Sequence, residues 1–280
     1  MPIEAIAAAL LSAIIHASWN ATLKAGSDRL ADLAVMGLGG MLLGLAVLIW
    51  RGIPIAAAWP YLLGSSAVHI VYWSALSRGY ATGDLTQVYT IARGLAPLLV
   101  TLGAAFWVGE RPSSLALAGI LLVSFGIATV GLMRHAHIRA TAWAGLTGVS
   151  IACYSLLDAL GARVSGDAIG YMGLSAFATF LPTTAYGLWT RGVSPVRQRL
   201  RSRGLQMLAA GAMTIFGYGL VLWAQTFAPI AYVTALRETS VVFGAAIAAL
   251  FLREPVGRQR WLGAVIVAGG AVLLAFGGRA

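Results

Sequence analysis

Polar residues in this chain fall in short clusters, and between them the sequence runs apolar for about 20 residues at a time, the length an α-helix needs to cross a bilayer. Ten such stretches can be read, near 4–24, 32–50, 60–80, 84–108, 113–133, 141–161, 169–189, 204–226, 229–252 and 259–277. Pro closes the tightest joints, Gly-Glu-Arg-Pro at 109–112 and Arg-Glu-Pro at 253–255, because the residue before a proline resists the helical conformation. The longest gap, Thr190 to Arg203, carries five Arg, and nothing remains for a domain outside the membrane. The pattern predicts an all-α, polytopic membrane protein of ten transmembrane helices.

Composition agrees with the pattern. Of 280 residues, 59% are hydrophobic and 10% charged, with a mean hydropathy of +0.84, so the polar groups are too few to cover a water-facing globule. A single cysteine, Cys153, excludes an internal disulfide and any multi-cysteine metal site. The net charge of +10 raises the question of nucleic acid. The basic residues, however, lie in the gaps between apolar runs rather than on one amphipathic face, so no nucleic-acid partner is expected. The first twenty residues hold Glu4 and no Lys or Arg, which leaves no positive region for a cleavable signal peptide.

The gaps after helices one, three, five, seven and nine hold Lys24, Arg29, Arg78, Arg134, Arg139, Arg191, Arg197, Arg199, Arg201, Arg203, Arg253, Arg258 and Arg260. The opposite face holds Arg51, Arg111, Arg163 and Arg279. Basic loops are retained in the cytoplasm, which places the first set inside and both termini outside.

Sliding the chain on itself by 144 residues brings Thr90, Arg93, Ala104, Ala105, Glu110, Gly119, Val123 and Gly126 onto Thr234, Arg237, Ala248, Ala249, Glu254, Gly263, Val267 and Gly270. Trp50-Arg51-Gly52 and Trp189-Thr190-Arg191-Gly192 end helices two and seven in a similar way. Two five-helix halves are expected, residues 1–135 and 136–280. An odd number of helices per half inverts the second against the first, the plan of many secondary transporters.

Each half carries an acidic residue before a short loop and then a Gly-containing last helix, Gly-Glu-Arg-Pro to Gly119 and Gly126, and Arg-Glu-Pro to Gly263 and Gly270. With this plan the chain resembles the EamA-type branch of the drug/metabolite transporter superfamily along its whole length. His-Ala-Ser-Trp-Asn at 16–20, Ala-Arg-Gly-Leu-Ala-Pro at 92–97 and Leu-Arg-Glu-Thr-Ser at 236–240 are similar to a bacterial subgroup of it. The resemblance implies a ten-helix inner-membrane carrier of small metabolites, often an exporter. Members are commonly drawn with cytoplasmic termini, the reverse of what the Arg distribution gives here.

Arg93, Asp158, Arg237 and Glu238 fall well inside spans. A charge at the bilayer centre costs at least ~2.5 kcal/mol on insertion scales, so these groups should face the bundle interior. One reading pairs Arg93 and Arg237 with Asp158 and Glu238 as bridges between helices; the other has at least one Arg bind an anionic group of a substrate. Both hold if substrate displaces a resting partner. Helical spacing adds neighbours: His16, Trp19 and Asn20 on helix one; His69, Tyr72 and Trp73 on helix three; Tyr89 beside Arg93; Tyr154 beside Asp158. These stripes suit an aromatic-walled small-molecule cavity, whereas Trp50, Trp59, Tyr61, Trp107 and Trp189 lie near span ends and suit an interfacial belt. His16, His69, Asp158 or Glu238 could carry a coupling proton. His135 and His137 lack a third ligand, so no metal is expected, and no cofactor motif is present. Pro97 and Pro182 interrupt the backbone inside spans and offer hinges.

The expected function is thus a secondary transporter, by resemblance an exporter, of amino acids or other carboxylate-bearing solutes through a central cavity, as monomer or homodimer. A multidrug exporter of lipophilic cations is the alternative within transport, built on Asp158 with Tyr154. An integral membrane enzyme is disfavoured, since neither Gly-x-Ser-x-Gly nor His-Glu-x-x-His occurs.

Overall fold

Within the described residues, each apolar stretch is helical. The computed structural model describes residues 1–82, 85–131, 138–250 and 257–278, so the Arg-Glu-Pro joint, Glu254 and the His135, His137 pair lie outside the described residues. Its helices are α1 (Ile3–Lys24), α2 (Arg29–Arg51), α3 (Trp59–Thr82), α4 (Leu85–Gly103, prolonged by a π-helical turn Ala104–Val108), α5 (Ser114–Gly131), α6 (Ile138–Ser165), α7 (Ala168–Arg191), α8 (Val193–Gln225), α9 (Ile230–Arg237), α10 (Ser240–Leu250) and α11 (Arg258–Gly277). Among the described residues, seven spans are long and apolar enough by themselves to cross a membrane, with α9 and α10 together forming one of them. The outer surface is apolar, with Phe106, Trp189 and Leu205 each more than four-fifths exposed, as a lipid-facing wall requires.

Two expectations change. The ninth stretch is not continuous: at Glu238 and Thr239 the ladder tightens to bonds from Glu238 N to Ala235 O, Thr239 N to Leu236 O and Val241 N to Glu238 O, and Thr239 Oγ1 donates to Leu236 O at 2.7 Å. A run of three-residue bonds closes the helix and restarts it. The predicted loop from Thr190 to Arg203 is helical from Val193 onward. Pro195 lies in the first turn, where a missing N–H costs little, and the Arg, Gln and Leu that follow are good helix formers. The helix bends at Arg203 (φ −136°, ψ 17°), whose guanidinium donates to Asp32 Oδ2 at 2.9 Å and to Thr22 O at 2.9 Å. Pro97 and Pro182, in contrast, lie inside continuous helices.

The packing follows a two-fold pattern. α2 and α7 run antiparallel, and each ends against the other's start: Arg51 at the end of α2 meets Asp167, the N-cap of α7, at 3.0 Å, and Arg191 at the end of α7 meets Asp28, the N-cap of α2, at 3.3 Å. Gly52 (φ 82°) and Gly192 (φ 77°) close the two helices in the same left-handed conformation, which only glycine adopts without strain. α5 and α11 repeat the relation, since a side chain on Gly119 would strike the Gly270 carbonyl and one on Gly270 the Gly119 carbonyl, while Gly126 and Gly263 form the matching contact. Such glycines let backbones approach without a hydrophobic drive between helices. α1 packs on α8 and α10 as α6 packs on α3 and α4.

Candidate functional site

The start of α9 is held firmly. Glu110, just past the end of α4, accepts from Ile230 N at 2.8 Å, and its other oxygen takes Arg163 Nη2 at 2.7 Å. Arg163, at the end of α6, also donates to the carbonyls of Gln225 (2.7 Å) and Ala228 (3.0 Å). Tyr232 OH accepts from Ser113 N at 3.0 Å. A carboxylate on the first N–H of a helix meets both an orphan donor and the positive end of the dipole. Arg163 is therefore a connector between α4, α6 and the α8–α9 turn rather than a loop charge, a role its place in the sequence concealed.

Fixing α9 at its start places Arg237 and Glu238, at its far end, in the interior. Arg93 reaches across from α4, and its Nε lies 3.0 Å from Glu238 Oε2 with both side chains almost wholly buried. The distance is that of an ion pair, but the N–H is not aimed at the oxygen. Arg93 Nε and Nη2, Arg237 Nε and Glu238 Oε2 therefore have no hydrogen-bond partner among the described residues. Buried charges are ordinarily saturated with hydrogen bonds because each unmade one costs desolvation energy. The open capacity here is largely N–H donor, and it is charged.

Aromatic rings complete the surroundings. The Arg93 guanidinium carbon lies 5.9 Å from the Tyr89 ring centre, and that of Arg237 lies 5.4 Å from the Tyr218 ring, distances at which a ring face attracts a cation. His69 stacks on Tyr154 at 4.2 Å, Tyr72 stands edge-on to Tyr154 at 5.8 Å, and Trp73 follows Tyr72 at 5.1 Å. The indole nitrogen of Trp73 is buried without a partner among the described residues. On α1, His16 lies edge-on to Trp19 at 5.0 Å, and Asn20 Nδ2 donates to His16 O at 2.7 Å. His16 is within electrostatic reach of both Arg93 and Arg237. The polar stripes of α3, α4, α6 and α9 thus come together and α1 adds His16, whereas Trp19 packs among apolar residues of α2, α7 and α8 and Asn20 bonds back to its own helix.

Asp158 behaves differently from the expected pairing. It does not bridge to Arg93 or Arg237; its Oδ1 accepts from Tyr171 OH at 2.9 Å and its Oδ2 from Tyr218 OH at 2.6 Å. α7 and α8 supply these hydroxyls at positions that the sequence marks only by flanking glycines, Gly170-Tyr171-Met172-Gly173 and Gly217-Tyr218-Gly219. A side chain on Gly161 would run into the Tyr171 ring, so the small residue is what admits the tyrosine to Asp158. Each oxygen of Asp158 thus takes a tyrosine hydroxyl, and neither arginine is its ion-pair partner. Of the belt residues, Trp50, Trp107 and Trp189 are strongly exposed.

The chain matches the model of the EamA-like transporter family over residues 3–132 and again over 138–276. Twenty-nine chains of solved structures match it. One, described as "Crystal structure of protein", superposes with a TM-score of 0.70 at 20% identity, covering 99% of this chain and 98% of that chain, a likeness of fold alone. No match is found among curated proteins. Two family matches laid end to end account for the helices that carry Arg93 and Arg237, and the chain belongs to the EamA-like transporter family, as a multi-pass membrane transporter.

Proposed function

We propose that the protein is a secondary transporter that exports small carboxylate-bearing metabolites, amino acids among them, across the bacterial inner membrane. The observation that carries this reading is the pair of interior arginines, Arg93 buried and Arg237 partly so, whose buried N–H groups at Arg93 Nε, Arg93 Nη2 and Arg237 Nε have no hydrogen-bond partner among the described residues, with Glu238 as the acid beside them. A carboxylate is the ligand a planar guanidinium fork reads best. Glu238 serves as the resting counter-ion that cargo displaces, and Trp73, Tyr72, Tyr89 and Tyr154 form walls for its apolar part. Exporters of lipophilic cations would need an unpaired carboxylate beside aromatics; Glu238 is ion-paired with Arg93, and Arg93 and Arg237 together would repel such cargo.

Alternating access is supported by the packing. We take residues 1–135 and 136–280 as inverted repeats, in which α2 with α8 is the counterpart of α7 with α3. α2 packs extensively on α8, with a side chain on Gly39 or Gly211 falling on the opposite backbone, while α3 and α7 barely touch. By this contrast the described helices meet more closely at the arginine-rich face than at the face of the termini. With basic loops inside, this is an outward-facing arrangement.

Counterflow in proteoliposomes against labelled amino acids, other organic anions, phosphonates and lipophilic cations tests the reading. Exchange of carboxylates that Arg237→Leu abolishes while the variant remains folded is expected. Exchange of cations alone, unaffected by Arg237→Leu, would sink it.

A further inference from the structure

We infer that Asp158 is the proton-binding group of this carrier and that Tyr218 links its protonation to Arg237; the inference rests on the carboxylate-transporter reading above. Asp158, on α6, is 1% exposed. The other described aspartates all have arginine partners: Asp28 pairs with Arg191, Asp32 with Arg199 and Arg203, and Asp167 with Arg51. Among the described residues, Asp158 alone of them has no cation within ion-pair distance and rests on hydroxyls instead. A fixed structural carboxylate in a membrane interior is ordinarily paired with a cation. One held by hydroxyls is suited to gain and lose a proton, because a hydroxyl can donate to the ionised form and accept from the neutral one.

The neighbours are few. Ser65 and His69 of α3 face the carboxyl, Tyr154 lies on its own helix, and Tyr171 and Tyr218 come from α7 and α8. Arg93, Arg237 and Glu238 are the charges on the far side of Tyr154. Of these, His69 is the rival proton carrier, but its ring is stacked on Tyr154 and its Nδ1 lies 2.9 Å from Ser65 O.

Tyr218 has two contacts at once. Its hydroxyl donates to Asp158 and its ring face lies under Arg237. When Asp158 is ionised both tyrosines donate to it. When it takes a proton it becomes a donor itself, and the hydroxyls around it, those of Tyr171, Tyr218 and Ser65, rearrange their hydrogens to receive it. If the short Tyr218 bond is the one remade, the ring that cushions Arg237 moves with it, and binding of a proton on α6 alters the arginine that reads cargo on α9. The proton comes from one aqueous face and leaves to the other, and no other reactant is needed.

The test uses the full chain in proteoliposomes, with the labelled carboxylate that exchanges in the counterflow panel as probe. Exchange at equal pH on both sides is compared with accumulation driven by an imposed pH gradient. Asp158→Asn is expected to retain exchange and lose gradient-driven accumulation. Tyr218→Phe, which keeps the ring and removes the hydroxyl, is expected to displace the pH dependence of uptake. Arg237→Leu loses both activities. Accumulation that survives in Asp158→Asn, exchange lost there as fully as in Arg237→Leu, or accumulation abolished by His69→Gln instead would overturn the inference. Should no carboxylate exchange at all, the carrier reading fails by itself, and infrared titration of the solubilised chain still decides this one. A protonated-carboxyl band that titrates with pH and disappears in Asp158→Asn is expected; its absence in the unaltered chain rules Asp158 out. Should Asp158→Asn not fold, Tyr171→Phe and Tyr218→Phe must each shift the midpoint of that band, and an unshifted midpoint in both overturns the assignment.

Discussion

Arg93 and Glu238 stand 3.0 Å apart in the interior, one in α4 and the other at the break between α9 and α10, and the Arg93 Nε–H is not aimed at the Oε2 it approaches. The contact neutralises both charges without using up their hydrogen-bonding capacity. Removing one partner leaves an uncompensated buried charge, whereas a third group can enter and complete the set.

Glu238→Gln keeps the shape of the acid and removes its charge, so Arg93 loses its resting partner. Carboxylate cargo should then bind on the order of ten times more tightly, about 1.4 kcal/mol, and leave more slowly. Lower KM together with lower maximal exchange is the expected signature. Arg93→Leu, which strands Glu238, should cost about 3–5 kcal/mol of stability, read as a fall in unfolding temperature in detergent.

The reciprocal tie between α2 and α7 predicts a pH effect at the face of the termini. Burial alone would raise the pKa of Asp167, but bonds from Arg51 and from the backbone N–H of Gly170 outweigh it and hold the carboxyl below its usual range. A lowered carboxyl contributes stability that is complete above its unfolded value and disappears as pH falls through its folded value. Asp167→Asn should therefore lower the unfolding temperature at neutral pH, with the difference from the unaltered chain closing in acid below that range. A difference that persists unchanged in strong acid would assign the effect to helix capping.

Close contact between α5 and α11 depends on missing side chains. Gly119→Leu or Gly270→Leu must push apart two backbones that now meet at carbonyl distance, and either should lower the unfolding temperature or abolish folded protein. The pair substituted together should be no milder than either alone, since the two positions face one another.

At the arginine-rich face, Asp32 has no exposed surface and is held by Arg203 at 2.9 Å and Arg199 at 3.6 Å. Arg203→Ala removes the closer cation and the bond to Thr22 O that ties α8 to α1. In a Cys153→Ser background, a cysteine placed at Asn20 should become more reactive to a polar thiol reagent from that face. Unaltered labelling would show that the α2–α8 glycine contact seals it unaided.

How far the sequence reached is clearest from Arg93 and Asp158. Both were identifiable as intramembrane charges because each interrupts an apolar run, and the spacing of Tyr89 to Arg93 or His69 to Tyr72 and Trp73 is a local property of a helix. Glu238 was among the partners expected for Arg93, but which acid meets which arginine, and the tyrosines on Asp158, were not identifiable. Glu238 and Tyr218 lie on other helices, and in a chain whose lipid-facing and core-facing surfaces are both apolar, no amphipathic stripe reports how each helix is rotated. Beyond its flanking glycines, nothing in the sequence singles out Tyr171, and only packing places its hydroxyl on Asp158.

The sequence by itself determined the number of apolar stretches, the basic loops between them, the recurrence of Arg, Glu and Gly at a fixed offset, and the family plan, since hydropathy and spacing are properties of neighbouring residues. The tertiary structure decided the break at Glu238, the extension of α8 to Val193, the role of Arg163 at the start of α9, and which acid faces which arginine. Those depend on groups brought together from separate helices, where hydrogen-bond geometry and backbone approach, rather than polarity, select the partner.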